Sequence, residues 1–426
     1  MMVCAKLSTL AEPHQVRLRT EIQKGAVVLG DPLALESALT NLVENAIRHS
    51  MPDEVVQAYT LTAGRACPAV SLYVTLDEAT LEVKCSETRL ERVDIVSNLR
   101  HDQLDAVITE ASLTGDAPAA YEHAVELAFA FRLARHLKAK REVVRGKPET
   151  FNRPDYNFRL EGNEGREPQG QERVLISTRQ RGAPLDLIVS EAMILANSRW
   201  GAWLAECGVP GIYRSQAALA PGIKVRMGTR PAVHAGMGVA QYTWASSPLR
   251  RYVDLVNQWQ IIACARHGRT AALAAPFKPK DAALLSIISA FDAAYASYND
   301  FQNTIERYWT LRWLQQNGVA ELEAAVMKDG LVRAETLPLV FRALGAEALP
   351  RGARVRVKIT GTDLLTLDLH ASLLGRIDDP TTTADDAPVD EAEIEEAAES
   401  AGPLTLAIDV SGDGEASNEA ATASSN

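Results

Sequence analysis

Apolar positions along this chain follow two periods, and the switches between them mark out its elements. At helical spacing, Leu185 to Cys207 is apolar almost throughout, and Gly208 with Pro210 ends the run. Glu122 to Arg141 and Ala282 to Asn317 also read as helices, the second closed by Gly318. Near the N-terminus, Val27 to Leu29 reads as a strand, Gly30-Asp31-Pro32 as a turn, and Leu33, Leu35, Leu39, Leu42, Val43 and Ala46 as the apolar side of a helix. From Tyr242 to Leu255 the pattern predicts a helix with Ser247 as N-cap and Pro248 in its first turn. Leu249, Tyr252, Val253 and Val256 would then form its buried face. Period-two stretches are shorter. Ala69 to Leu76 and Thr80 to Cys85 read as a hairpin, and Asn157–Leu160 and Arg173–Thr178 as two further strands. Arg354 to Ile359 alternates cation with β-branched residue, and Leu365, Leu367 and Leu369 continue the alternation. Short strands with one basic face suit a small OB-type barrel, a platform for single-stranded RNA.

Charge changes this picture at one end. The 426 residues carry a net charge of −11, yet 14 of the 55 acidic residues and none of the 44 basic ones lie beyond Ile377. The rest of the chain is therefore slightly basic and compatible with a polyanion ligand. The segment 378–426 is rich in Asp, Glu, Ala, Thr and Ser and is expected to be disordered. Five cysteines without a C-x-x-C pair read as thiols in a reducing cytoplasm. No apolar run reaches the roughly 20 residues of a membrane span, and no signal-peptide pattern is present.

Two features carry chemistry. Arg250 and Arg251 stand in the predicted first helical turn, against the helix dipole. A phosphate would offset them by taking helix N–H donors and a forked bond from each guanidinium. Asp254 is the competing partner, three and four residues on. Glu191 lies inside the apolar run 185–207 and needs a partner, which reads as a helix–helix hydrogen bond. The cations of 122–141 read either as a solvated helix end or as a contact to RNA.

The run S-S-P-L-R-R-Y-V-D-L resembles the signature of the ribonuclease II (RNB) family of processive 3′→5′ exoribonucleases, with Trp244 where many members carry His. The resemblance implies that Arg250 contacts the scissile phosphate and that Arg251 and Tyr252 belong to the RNA site. E-A-M-I-L-A-N is similar to a family segment that implies roles for Glu191, beside the terminal nucleotide, and Asn197. G-I-Y-R implies a second phosphate contact at Arg214, and Ile305 to Trp309 implies that Glu306 helps hold the RNA end. His101 replaces the Tyr usual near the ribose.

The implied fold is α+β. A truncated RNB-type mixed α/β domain spans 51–317, an OB-type barrel 318–377 and the acidic tail 378–426. Residues 1–50 resemble instead the N-box of a histidine-kinase ATP-binding domain, in which Asn41 and Asn45 would face ATP and its magnesium. The family's Mg2+ is expected as cofactor, but its closely spaced Asp cluster is not found. The expectation is a cytoplasmic monomer acting on single-stranded RNA, its hydrolysis impaired. The alternatives are a non-catalytic RNA-binding module and a kinase remnant fused to an RNB fragment.

Overall fold

A computed structural model describes residues 53–377, apart from 118–119, 150–154, 163–171, 180–181, 221–222 and 328–329. The N-box-like segment with Asn41 and Asn45, and the tail 378–426, lie outside the described residues. In chain order the elements are α1 (Asp53–Tyr59), β1 (Ala66–Leu76), β2 (Val83–Asp94), α2 (His101–Leu104), α3 (Glu110–Thr114) and α4 (Ala124–Arg145). Next come β3 (Asp155–Leu160), β4 (Val174–Arg179), α5 (Pro184–Glu206), β5 (Tyr213–Ser215), β6 (Arg226–Gly228) and β7 (Tyr242–Thr243). The last are α6 (Tyr252–His267), α7 (Ala271–Ala274), α8 (Ala282–Gln316), β8 (Glu321–Val326), β9 (Leu331–Ala334), β10 (Val340–Leu344), β11 (Arg354–Asp363) and β12 (Asp368–Arg376).

Two compact units divide the chain. Of the described residues, the smaller takes 53–71 and 88–100 and the larger takes 72–87 and 101–377. In the smaller unit the Asn98 amide donates to the Leu61 carbonyl, and the Gly64 amide donates to the Ile95 carbonyl. β1 and β2 pair as a two-stranded sheet, with β2 running well past the expected hairpin end at Cys85.

The larger unit has two cores. Ile194 of α5, Ile212, Tyr242, Trp244, Val253 and Val256 of α6, and Leu284 and Ile288 of α8 form the first. The second fills the barrel and takes in Leu311 and Leu314, from the far end of α8. One 35-residue helix, about 52 Å long at 1.5 Å per residue, thus serves both. It stops where expected, at Gly318 with φ +59°, a backbone state that costs glycine little. β3 and β4 pair antiparallel, and β5 lies between β6 and β7.

The barrel closes in the order β10-β12-β11-β8-β9, all pairs antiparallel except β10 with β12. Along β11, Val355 and Val357 are buried while Arg354, Arg356 and Lys358 face out, as the alternation predicts. The outer face is nevertheless charge-balanced rather than basic. Arg354 is forked onto Glu335 at 2.6 and 2.7 Å, and Arg356 donates to Glu323 at 3.1 Å. The physical reason is register, which sets Arg356 opposite Glu323 and Lys358 opposite Glu321 on β8. Leu365 is 85 % exposed because residues 364–367 form the turn between β11 and β12 rather than more strand.

Candidate nucleic-acid interface

The signature run folds differently from the helix start it suggests. The amides of Arg250 and Arg251 both donate to the Ser247 carbonyl, so Ser247 to Arg251 is a turn, and α6 begins at Tyr252. Asp254 explains the delay. It is fully buried in the first turn of α6, and its carboxylate accepts from the Ser247 amide at 2.8 Å. The same carboxylate takes a fork from Arg251, at 2.8 and 2.9 Å. An anion in the first turn suits the dipole, so the arginine pair is not opposed by it. Leu249 and Tyr252 are consequently exposed, not on the buried face; Tyr252 is 49 % exposed and meets Trp259 edge-on at 6.1 Å.

The two arginines have separate fates. Arg251 belongs to Asp254, the competing partner read from the sequence. Arg250 forms no ion pair among the described residues, and its guanidinium donates to the Ser247 hydroxyl at 2.9 Å. It stands at the wall of a cleft with a cavity of about 60 Å³, lined also by Arg214, Arg251, Trp244, Tyr242, Met237 and Ser190. Desolvation there, then the neighbouring Arg251 charge, pull the Arg250 pKa below the ordinary value, but it stays a cation.

Trp244 organises the cleft. The guanidinium carbons of Arg251 and Arg214 lie 3.9 and 4.0 Å from its ring centroid. Such cation–π stacking fixes two cations without removing their charge. Phe291 and Tyr295, from α8, meet the same indole edge-on at 6.3 Å. On the same helix, burial holds the carboxyls of Asp292 and Glu306 above the ordinary range, with the Arg214 charge opposing it at Asp292. Burial and then the Glu306 carboxylate raise the Tyr298 phenol, with the Arg250 charge opposing.

Two other predicted residues act inside the fold. Asn197 is buried and receives the Ala245 amide at 3.0 Å, while its own amide reaches the Tyr242 and Ser246 hydroxyls at 3.2 and 3.3 Å. It therefore ties α5 to the strand that presents Trp244. Glu191, 2 % exposed, is forked by Arg141 of α4, with Nε to Oε2 at 3.0 Å and a shorter bond to Oε1. Arg141 also reaches Glu149 at 2.9 Å and the Met237 carbonyl at 2.8 Å. It is thus neither a solvated helix end nor exposed for RNA. Burial pushes the Glu191 carboxyl up, with Arg141 opposing; burial alone would lower Arg141, but its two carboxylate partners raise it. The forked geometry keeps the pair ionised. Gly238 completes the knot, since a Cβ there would sit 2.4 Å from the Arg141 carbonyl oxygen.

Sequence reading missed Arg141, Asp292, Tyr295 and His234. Only Arg141 had a signal, as one of a run of cations. His234 is fully buried, accepts from the Met237 amide at 3.3 Å and has its pKa lowered to about 3, by burial and then by Arg214. His101 opens α2, and its side chain lies outside what is described.

Among the described residues, the carboxylates near this cleft already have partners. Asp254 is engaged by Arg251 and the Ser247 amide, Glu191 by Arg141, and the Arg214 charge acts on Asp292. Among the described residues, no group of three or more His, Cys, Asp or Glu could hold a metal ion. Nor, among them, is any helix long and apolar enough to cross a membrane.

Known proteins bear on this geometry in three ways. A protein of Synechocystis sp., named as an uncharacterized ribonuclease, is 27 % identical over 206 residues, which are 41 % of this chain and 30 % of that one. The chain thus spans under a third of that curated relative. Mycoplasma genitalium RNase R, solved as the apo form and with ribose-methylated single-stranded RNA, is similar with a TM-score of 0.59 at 12 % identity. That likeness covers 76 % of this chain and 60 % of RNase R. An active-site mutant of the Dss1 exoribonuclease from Candida glabrata gives a TM-score of 0.55 at 20 % identity, over 74 % of this chain and 43 % of its own. At such identities the likeness is one of fold. The RNB domain itself matches residues 31–225 and 223–267, more than half of the sequence and including the whole arginine cleft, so this chain belongs to the RNB family.

Proposed function

We propose that this chain grips the backbone of single-stranded RNA in the cleft of the RNB domain, as a 3′→5′ exoribonuclease type whose own hydrolysis is impaired. The observation that carries this reading is Arg250, a cation at the cleft wall with no carboxylate in ion-pair reach among the described residues. Its guanidinium can fork onto a phosphate, and Arg214 and Arg251, held on Trp244, add positive potential around it. Support also comes from the RNA-bound form of the RNase R whose fold this chain resembles. Impairment is supported by the carboxylates near the cleft, which among the described residues already serve guanidinium groups. A non-catalytic RNA-binding role is the second reading, favoured by that same engagement of Asp254 and Glu191. End-labelled single-stranded RNA incubated with the chain and Mg2+ separates the two. Slow, Mg2+-dependent trimming from the 3′ end supports the enzyme, binding without trimming supports the module, and rapid processive shortening refutes the impairment. Binding that is unchanged by Arg250→Ala at matched salt would remove the phosphate grip itself.

A further inference from the structure

Beyond the cleft, α6 has one exposed stripe, and its composition differs from the mixed charges of a solvated helix face. Of residues 252–267 only Tyr252, Trp259, Arg266 and His267 are exposed, with Leu255 and Ile262 half-buried between them. Tyr252, Trp259 and Arg266 recur every seven residues, so they run along one line of the helix with a drift of about 20° per step. Asp254, the one carboxylate of α6, is fully buried, so the stripe carries rings and cations and no negative charge. Arg269, just past the helix end, is exposed as well. The two rings meet edge-on, at 6.1 Å and 85°. Such a contact covers at most one face of one ring, so each keeps a π-face that the pair does not use.

Position ties the stripe to the cleft. Tyr252 follows Arg250 by two residues, within about 7.6 Å from Cα to Cα. From Tyr252, Trp259 lies about 10 Å and Arg266 about 21 Å along the axis. A stacked strand advances about 3.4 Å per nucleotide, so the stripe is about six nucleotides long. At about 21 by 10 Å it falls far short of the roughly 800 Å² that each partner of a stable dimer buries. Rings interleaved with cations fit a single strand, whose bases stack and whose phosphates need positive charge.

We infer that this face of α6 is a stacking platform for single-stranded RNA: bases lie on Tyr252 and Trp259, and Arg266 takes a backbone phosphate beyond them. The strand gripped at Arg250 is thereby continued out of the cleft. This inference rests on the RNA reading of the cleft, and variants at Trp259 and Arg250 tell the two apart.

For the test, fluorescein-labelled oligoadenylates of three and twelve nucleotides are titrated into the full chain without divalent cations and followed by anisotropy. A stacked trimer held at Arg250 ends short of Trp259, whereas the twelve-mer covers the stripe. Trp259→Ala should weaken the twelve-mer about tenfold, the scale of one lost stacking contact, and the trimer by less than about twofold. Trp259→Phe should keep most of the affinity. Arg266→Ala should reduce the salt slope of the twelve-mer by about 0.7, one phosphate contact, and leave that of the trimer unchanged. Twelve-mer affinity unchanged in both alanine variants, equal losses for the two lengths, or an abasic twelve-mer as sensitive to Trp259→Ala as the oligoadenylate overturns the platform. A parent dimer in sedimentation that Trp259→Ala dissolves overturns it too, and gives the face to a second copy. If Arg250→Ala weakens both lengths and Trp259→Ala neither, the cleft reading stands and the platform falls. If Trp259→Ala weakens the twelve-mer while Arg250→Ala changes nothing, the platform stands and the phosphate grip falls.

Discussion

The cleft and the barrel carry the same residue under opposite conditions. On the barrel, Arg354 and Arg356 lie on a strand whose neighbours present Glu323 and Glu335 within bonding distance. At the cleft, Arg250 has the Ser247 hydroxyl and no ion pair among the described residues. The alternating cations of β11 advertise a binding face that cross-strand register neutralises. Two adjacent arginines in the signature run look alike in sequence, yet one is engaged by a buried aspartate and the other forms no ion pair among the described residues. A cation's meaning thus depends on the carboxylate the fold brings to it, not on its position in a pattern.

The largest effect should come from the most completely paired arginine. Arg141→Met or Glu191→Gln leaves one buried charge without its partner and should cost about 3–5 kcal/mol of stability, read by urea unfolding. A change in RNA affinity at unaltered stability would mean instead that Glu191 acts on the ligand. Next is pH. His234 stays neutral in the fold, with a pKa of about 3 against an ordinary 6.5. Its contribution is therefore present above pH 6.5 and falls by about 1.4 kcal/mol for each unit as the pH drops toward 3. His234→Asn should flatten that slope in thermal melts between those values, and an unchanged slope would place the titration elsewhere.

Arg250→Ala should weaken single-stranded RNA by about 10- to 100-fold, as expected for a charge-assisted bond of 1.5–3 kcal/mol, with stability nearly constant. That contrast would separate an arginine that serves a ligand from one used by the fold. Glu306 has a raised pKa from burial, so its contribution to stability is fully present below 4.5 and is lost as pH rises through the folded value. Relative to the parent, Glu306→Gln should therefore gain thermal stability as pH increases above 4.5, and a constant difference would count against a buried carboxyl there. The smallest effect belongs to the barrel: Arg356→Ala should change RNA affinity by less than about twofold, as for an exposed pair. A loss equal to that of Arg250→Ala would erase the distinction between the two regions.

Much of the architecture was legible beforehand. The helices at 185–207 and 282–317, the strand pair near 157 and 174, and the switch to period two after Gly318 all appear close to their expected bounds. Each has a local cause, whether periodicity, a glycine stop or β-branched alternation. Start signals were less dependable. Ser247-Pro248 is a good helix opening on local grounds, but the carboxylate of Asp254 captures the Ser247 amide and makes a turn of it. Tyr252 and Leu249 changed sides with that shift, because a helix that begins later turns different residues outward.

By itself the sequence determined the family, through S-S-P-L-R-R-Y-V-D-L and its companion segments, together with the order of elements and the separation of a slightly basic body from an acidic tail. Those properties are short-range, written in neighbours along the chain. Tertiary structure alone decided which charges meet: Arg141 with Glu191 across 50 positions, Arg214 and Arg251 on one indole, Arg356 with Glu323 across a ladder. Ion pairing and desolvation act over a few ångströms of space, and no local pattern encodes the approach of residues so far apart.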